Sequence, residues 1–308
     1  MKSIADYDKE IQKDPNNAEL YRLRGFEYCV DGDLNNGIKD FNQAIKLDSG
    51  CVENYYLRGK TYRLKGDYKQ AINDLDLAIS LDPKYKKAYD ERGTVFDLMG
   101  NYERALEDYN QVIKLDPNYT DAYISRGLLY NIVAGHINLA STLNISNSEE
   151  SIELVINFSN MAITDFDQVI KIDAEHKMVY NFRGTAYSSR GSAYKEKKYI
   201  DQAIKDFDQA IMDFDKAISI RPDYSNAFFM RGLAYKEKND FDQAINDFDQ
   251  AINFDPNNLE IYKTRASVYY HDLQDYEKAI IDYEFVLKKD PNDSHTIERI
   301  KIAKIRMN

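Results

Sequence analysis

Four histidines and two cysteines are the side chains here best suited to metal or nucleophilic chemistry, and carboxylates recur in close pairs. His136, His176, His271 and His295 lie far apart, and none stands at ligand spacing from another donor, so they assemble no zinc site locally. Cys29 and Cys51 could close one disulfide but cannot build a framework, and free thiols in a reducing compartment are the expectation. The pairs Asp206/Asp208 and Asp247/Asp249 have a spacing that general acid–base work could use. They recur because the sequence around them recurs, so they read as solvated helix faces. No GxxxxGK[ST], GxGxxG, HExxH or GxSxG string is present. The expectation is a non-enzyme with no catalytic residue, no metal and no cofactor.

The elements that carry these side chains are set by a repeat. Six prolines and 13 glycines among 308 residues are too few for the many turns of an all-β fold and favour long helices. Hydrophobic residues at 43% can support a packed core. The formal charge of −11 argues against nucleic-acid binding, which needs clustered Lys and Arg. No run of 18 apolar residues occurs, and the N-terminus lacks the apolar segment of a signal peptide, so membrane insertion is not expected and a cytoplasmic location is. All six prolines close near-identical segments such as AISLDP, VIKLDP and AINFDP, and the steps from Pro83 to Pro117 and from Pro222 to Pro256 are both 34 residues.

Each repeat reads as two antiparallel helices. The first carries an aromatic, then Arg-Gly, then another aromatic, as in YYLRGKTY and FFMRGLAY. A short turn leads to the second, as in AINDLDLAISLDP, with apolar residues at three- and four-residue spacing. The mid-helix glycine costs about 1 kcal/mol relative to Ala, which makes sense if the small Ala of the second helix packs against it. Asp-Pro then ends the helix. The Arg before the glycine recurs with an Asp in the second helix: Arg24/Asp40, Arg58/Asp74, Arg92/Asp108, Arg126/Asp165, Arg231/Asp247 and Arg265/Asp282. In one longer unit either Arg183 or Arg190 could meet Asp206. A repeated ion pair tying the two helices together is the reading.

At these residues the sequence resembles the tetratricopeptide repeat (TPR) family. The resemblance implies an all-α right-handed superhelical solenoid of seven helix-turn-helix repeats with helical caps, near 18–51, 52–85, 86–119, 120–176, 177–224, 225–258 and 259–293. Tyr or Phe stands where many members carry Trp, and Arg where many carry Leu. The resemblance also implies that the first helices line a groove for an extended peptide or partner helix. Mapped onto this sequence, the candidate partner-binding residues are Tyr56, Lys60, Arg63, Asp90, Asp97, Ile124, Leu128, Asn131, Asn181, Phe229 and Tyr270. Charges on the lining nearly balance, and the Lys/Asn set with which some family members clamp a C-terminal carboxylate is not reproduced.

Two units are irregular. The 177–224 unit holds a 14-residue insertion that is two tandem heptads: RGTAYSS precedes RGSAYKE, and DQAIKDF precedes DQAIMDF. Seven residues are nearly two helical turns, so both helices should lengthen at the end that joins them. The 120–176 unit holds a 23-residue insertion in which Ser146 to Glu149 matches a capping box, predicting an extended hairpin that packs beside its lengthened neighbour as a crest. The last unit holds one extra residue. Residues 2–14 copy a second helix alone, either as a cap or because the chain begins inside a longer parent, and 294–308 reads as a capping helix. The functional expectation is an adaptor holding a protein or peptide partner in its groove. The alternatives are a structural protein that forms homo-oligomers through the crest or its ends, and a regulatory segment of a larger protein.

Overall fold

The computed structural model describes residues 2–142 and 149–307, with side chains described outside 139–148. The capping box expected from Ser146 and the expected tip of the hairpin fall on residues outside those described. Helix α1 (Ile4–Lys13) precedes the pairs α2 (Ala18–Val30) with α3 (Leu34–Leu47), α4 (Val52–Leu64) with α5 (Tyr68–Leu81), and α6 (Lys86–Leu98) with α7 (Tyr102–Leu115). The lengthened helices follow: α8 (Thr120–Thr142), α9 (Glu149–Ile172), α10 (Val179–Glu196) and α11 (Ile200–Ile220). The rest are α12 (Ser225–Glu237), α13 (Phe241–Phe254), α14 (Leu259–Ser267), a π-helical turn Val268–Asp272, α15 (Tyr276–Lys289) and α16 (Ser294–Met307). No strand occurs among the described residues. The chain divides into two compact units, Met1–Arg126 and Gly127–Asn308.

The turn inside each pair follows from its residues. Gly32, Gly66 and Gly100 take positive φ where the first helix ends, a conformation glycine adopts without steric cost. Lys198, Asn239 and Gln274 hold the same conformation in later pairs. The next residue caps the second helix: the side chains of Asp33, Asp67, Asn101, Asp240 and Asp275 accept from the backbone N–H three residues on.

Close approach of paired helices is real, but its partner differs from the expectation. A Cβ at Gly93 would stand 2.8 Å from the Tyr109 ring, and one at Gly232 would stand 2.7 Å from Phe248. The aromatic after the recurrent Asp roofs the glycine, while the Ala of the second helix approaches through its backbone carbonyl, as Ala244 O does at 3.2 Å. The first pair is built differently. Gly37 replaces that Ala, and the Cys29 thiol occupies the space its methyl would need. Cys29 and Cys51 are both free thiols.

The recurrent Arg does more than the sequence suggested. Arg24, Arg58, Arg92, Arg231 and Arg265 each donate Nε and Nη2 to both oxygens of Asp40, Asp74, Asp108, Asp247 and Asp282, at 2.6–2.9 Å. Each Nη1 then reaches back to an acceptor on the preceding second helix: Asp8, Asn42, Asp76, Asp215 and Asp249. Each guanidinium also lies over the aromatic three residues earlier, such as Tyr55 under Arg58 at 5.8 Å. The paired carboxylates read as solvated faces are thus corrected. Asp247 holds Arg231 within its own pair, Asp249 holds Arg265 of the next, and Asp208 holds Lys238. Tyrosine in place of Trp has its own use, because Tyr21, Tyr180 and Tyr262 donate their hydroxyls to the carbonyls of Pro15, Ala174 and Pro256.

In the second unit the tandem heptads duplicate this device. Arg190 pairs with Asp206 and Arg183 with Asp213, because antiparallel helices match the first copy on one to the second copy on the other. Their outer acceptors, Asn160 and Asp167, sit seven residues apart on the lengthened α9. Above this, Ala134, Val155, Ile156 and Ala193 form a buried cluster with Ile137, Ile152, Phe158 and Tyr194 packed on it. Helices α8, α9 and α10 therefore share a core in their extensions.

Candidate interaction surface

In the first unit, α2, α4 and α6 are neighbours as well as partners of their second helices. Their last turns present Val30, Leu64 and Leu98, exposed by 64%, 52% and 54%. Phe26 and Met99 are exposed beside them. Between α2 and α4 this surface sinks into a cleft of about 260 Å³, lined by Phe26, Cys29, Val30, Leu57, Lys60 and Leu64. Exposed aliphatics on three successive helices are an apolar surface without a described cover, the kind that marks interaction sites.

A polar cluster lies on the same helices. Tyr56 meets Tyr85 edge to face at 5.5 Å. Burial pushes the Asp90 carboxyl up to about 6, and Asp121 and Glu91 add to the shift although the Tyr119 hydroxyl donates to it at 3.3 Å. The second oxygen of Asp90 has no hydrogen-bond partner among the described residues. Burial also raises the Asp97 carboxyl. The Cys29 thiol, half-buried beside the Thr61 hydroxyl, is pushed up by burial.

Of the sequence-predicted residues, Tyr56, Lys60, Asp90, Asp97 and Ile124 keep part of their surface in the first unit, as Leu128 and Phe229 do in the second. Four others are taken up internally. Arg63 pairs with Glu91 on α6. Asn131 donates to the Phe182 carbonyl at 3.0 Å, and Asn181 to the Asn226 side chain at 3.1 Å, so these amides join neighbouring helices. Tyr270 requires a correction. The extra residue of the last repeat is absorbed as the π-helical turn, where Leu273 N–H bonds to the Val268 carbonyl, five residues back. Tyr270 is only 2% exposed and sits among Ala266, Tyr283, Ile300 and Ala303 under α16. The exposed aliphatic row falls on groove-lining positions that the resemblance maps, but it is not among the candidate partner-binding residues named above. Its signal was present: Val30, Leu64 and Leu98 each stand five residues after the mid-helix glycine, off the buried stripe.

Comparison with known proteins places this geometry. Models of the TPR repeat match residues 98–131 and 232–272, and further tetratricopeptide repeat models match 52–85, 184–212 and 214–246, together about half of the chain. The chain belongs to the tetratricopeptide repeat family, whose repeats serve protein interaction. Its all-helical solenoid fold is shared with a tetratricopeptide repeat protein from Parabacteroides merdae, at 19% identity over 94% of this chain and 99% of that one, with a TM-score of 0.60. A C-terminal part of a TPR repeat-containing protein from Cytophaga hutchinsonii matches at 16% identity over 91% and 99%, also with a TM-score of 0.60. YrrB, described as a TPR protein with an unusual peptide-binding site, matches at 21% identity over 76% and 100%, with a TM-score of 0.50. No curated protein matches the sequence.

Proposed function

We propose that this chain is a non-enzymatic scaffold that binds an amphipathic peptide or partner helix across the first helices of its N-terminal unit. The observation that carries the reading is the row Val30, Leu64 and Leu98 beside the Phe26 cleft. Aliphatic anchors at each step of the row would take apolar side chains of the partner, and Lys60, Asp90 and Asp97 flank them to set its orientation. The peptide-binding description of YrrB is consistent with such a use of the fold. The test is selection of ligands from a random peptide library, followed by affinity measurement against wild type and a Leu64→Asp, Leu98→Asp variant. Loss of at least tenfold in a variant with unchanged helicity, about 1.4 kcal/mol, is expected. Peptides held equally by both proteins would overturn the reading.

Self-association is a second reading, favoured by Ile281 and Ile305 on α15 and α16, exposed by 66% and 73%. Light scattering over a concentration series decides it: a dimer that Ile305→Asp dissolves supports the reading, and a monomer at every concentration sinks it.

A further inference from the structure

The second unit carries a cleft of about 320 Å³ between α12, α14, the π-helical turn and α16. Its lining gathers Lys236, Lys263, Arg299, His271 and His295, with Glu260 the one carboxylate among the lining residues. This concentration of positive charge occurs in a chain of net charge −11. Lys263 is committed to Asp293, the residue that caps α16. Lys236 and Arg299 have no carboxylate partner among the described residues. Arg299 instead donates to His295 Nε2 at 3.3 Å and lies over the Tyr270 ring at 5.6 Å. The contrast with the buried ladder is sharp, since each ladder arginine detailed above has an Asp on two of its nitrogens.

Two cations without an ion-pair partner among the described residues, with two imidazoles lining the same concavity and Glu260 as its single carboxylate, form an arrangement that an oxyanion completes. Its charge would offset both cations, and its oxygens would accept from guanidinium, ammonium and imidazole N–H donors together. A carboxylate offers two oxygens and one charge; a phosphate group offers three or four oxygens and close to two charges. We propose that the cleft is a binding site for a phosphate group, held by Lys236 and Arg299 with His271 and, through its Nδ1, His295 as further donors. The site is separate from the aliphatic row of the N-terminal unit and does not depend on the function proposed for it.

The four histidines supply the readout. Imidazole resonances of the full chain are followed by nitrogen–proton correlation NMR during titration with sodium phosphate at constant ionic strength. His271 and His295 should shift saturably while His136 and His176, which lie elsewhere in the chain, stay fixed. Burial and the nearby cations Arg299, Arg306 and Lys236 hold the His271 pKa below its ordinary value against the opposing charge of Asp272, and bound phosphate should raise it. Arg299→Gln and Lys236→Gln should each weaken binding about tenfold, the effect of losing one charge-assisted hydrogen bond. Glu260→Gln should tighten it, an outcome that a misfolded variant cannot mimic. Acetate should bind more weakly than phosphate. A short phosphoserine peptide, compared with its unphosphorylated form, separates the two sources: tighter binding than inorganic phosphate assigns the site to phosphorylated peptides, and equal binding assigns it to the free ion. Shifts of equal size at all four histidines, acetate binding as tightly as phosphate, or affinity unchanged in Arg299→Gln would overturn the proposal.

Discussion

Asp247 and Asp215 both hold Arg231, yet their removal should have very different costs. Asp247 accepts two hydrogen bonds, at 2.8 and 2.6 Å, and its side chain is 1% exposed. Asp215 accepts one, at 2.5 Å, from a side chain that is 52% exposed. Asp247→Ala deletes two charge-assisted bonds at about 1.5–3 kcal/mol each and leaves the guanidinium, in a partly buried site, with the exposed Asp215 alone. Breaking a buried pair in this way costs about 3–5 kcal/mol. Asp215→Ala removes a solvent-screened contact worth about 1 kcal/mol or less. The double change Arg231→Met, Asp247→Leu leaves no stranded charge and should lose less than Asp247→Ala alone, since apolar replacement of a buried pair is often close to neutral. The assay is urea unfolding followed by circular dichroism, with hydrogen exchange at the α12 and α13 amides to localise the loss, because stacked repeats need not unfold in one step. If the two single Asp variants lose equal stability, the ladder is held by packing and the charge argument is wrong.

Asp90 gives a pH prediction. Its carboxyl titrates near about 6 in the folded chain, above its ordinary 3.8, so the native state holds the proton more tightly than the unfolded one. That contribution to stability is complete below about pH 4 and is lost as pH rises through about 6. Asp90→Asn should therefore raise stability at pH 7.5 by about 2 kcal/mol and flatten the profile between those values; an unchanged profile refutes the burial argument. Gly93→Ala should destabilise by about 1–3 kcal/mol through its contact with Tyr109, whereas Gly135→Ala, whose added Cβ meets nothing within 4 Å among the described residues, should stabilise by up to about 1 kcal/mol. Chemical denaturation of the two variants checks the contrast. Gly37→Ala should likewise destabilise through the Cys29 thiol, and in the Cys29→Ala background, which itself gives up the thiol's contact with Thr61, the same change should cost much less. Additive losses across that double-mutant cycle would contradict the steric account.

The sequence showed the helix pairs and their Arg–Asp links because a strict period repeats every landmark in register. Pairing within a repeat is local, and the small Gly and Ala side chains announce it. The third partner of each arginine was hidden, because Asp249 and Arg265 belong to different repeats and nothing in the periodicity says that neighbouring second and first helices share a guanidinium. Tyr270 was misread for a related reason. Counting from the landmark assumes 3.6 residues per turn, and the π-helical turn breaks that count within the very segment being mapped. Exposure was the other gap. Periodicity places Leu64 off the buried stripe but does not say whether another helix covers it, and the structure leaves it bare.

The tandem heptads of α10 and α11 have a consequence for how such a molecule can change size. The quartet of Arg, Gly, Asp and aromatic behaves as a closed tile: Arg190 with Asp206 and Gly191 under Phe207 satisfy one another, as Arg183, Asp213, Gly184 and Phe214 do beside them. Such a tile can be added crosswise, seven residues on each helix, as well as lengthwise by whole repeats. The one external requirement is an acceptor on the adjoining helix, and Asn160 fulfils it on the lengthened α9. Growth in the second direction therefore asks of the neighbour a side chain and not a length, since Asn160 stands two residues before Ala162, within the span that an unlengthened second helix covers.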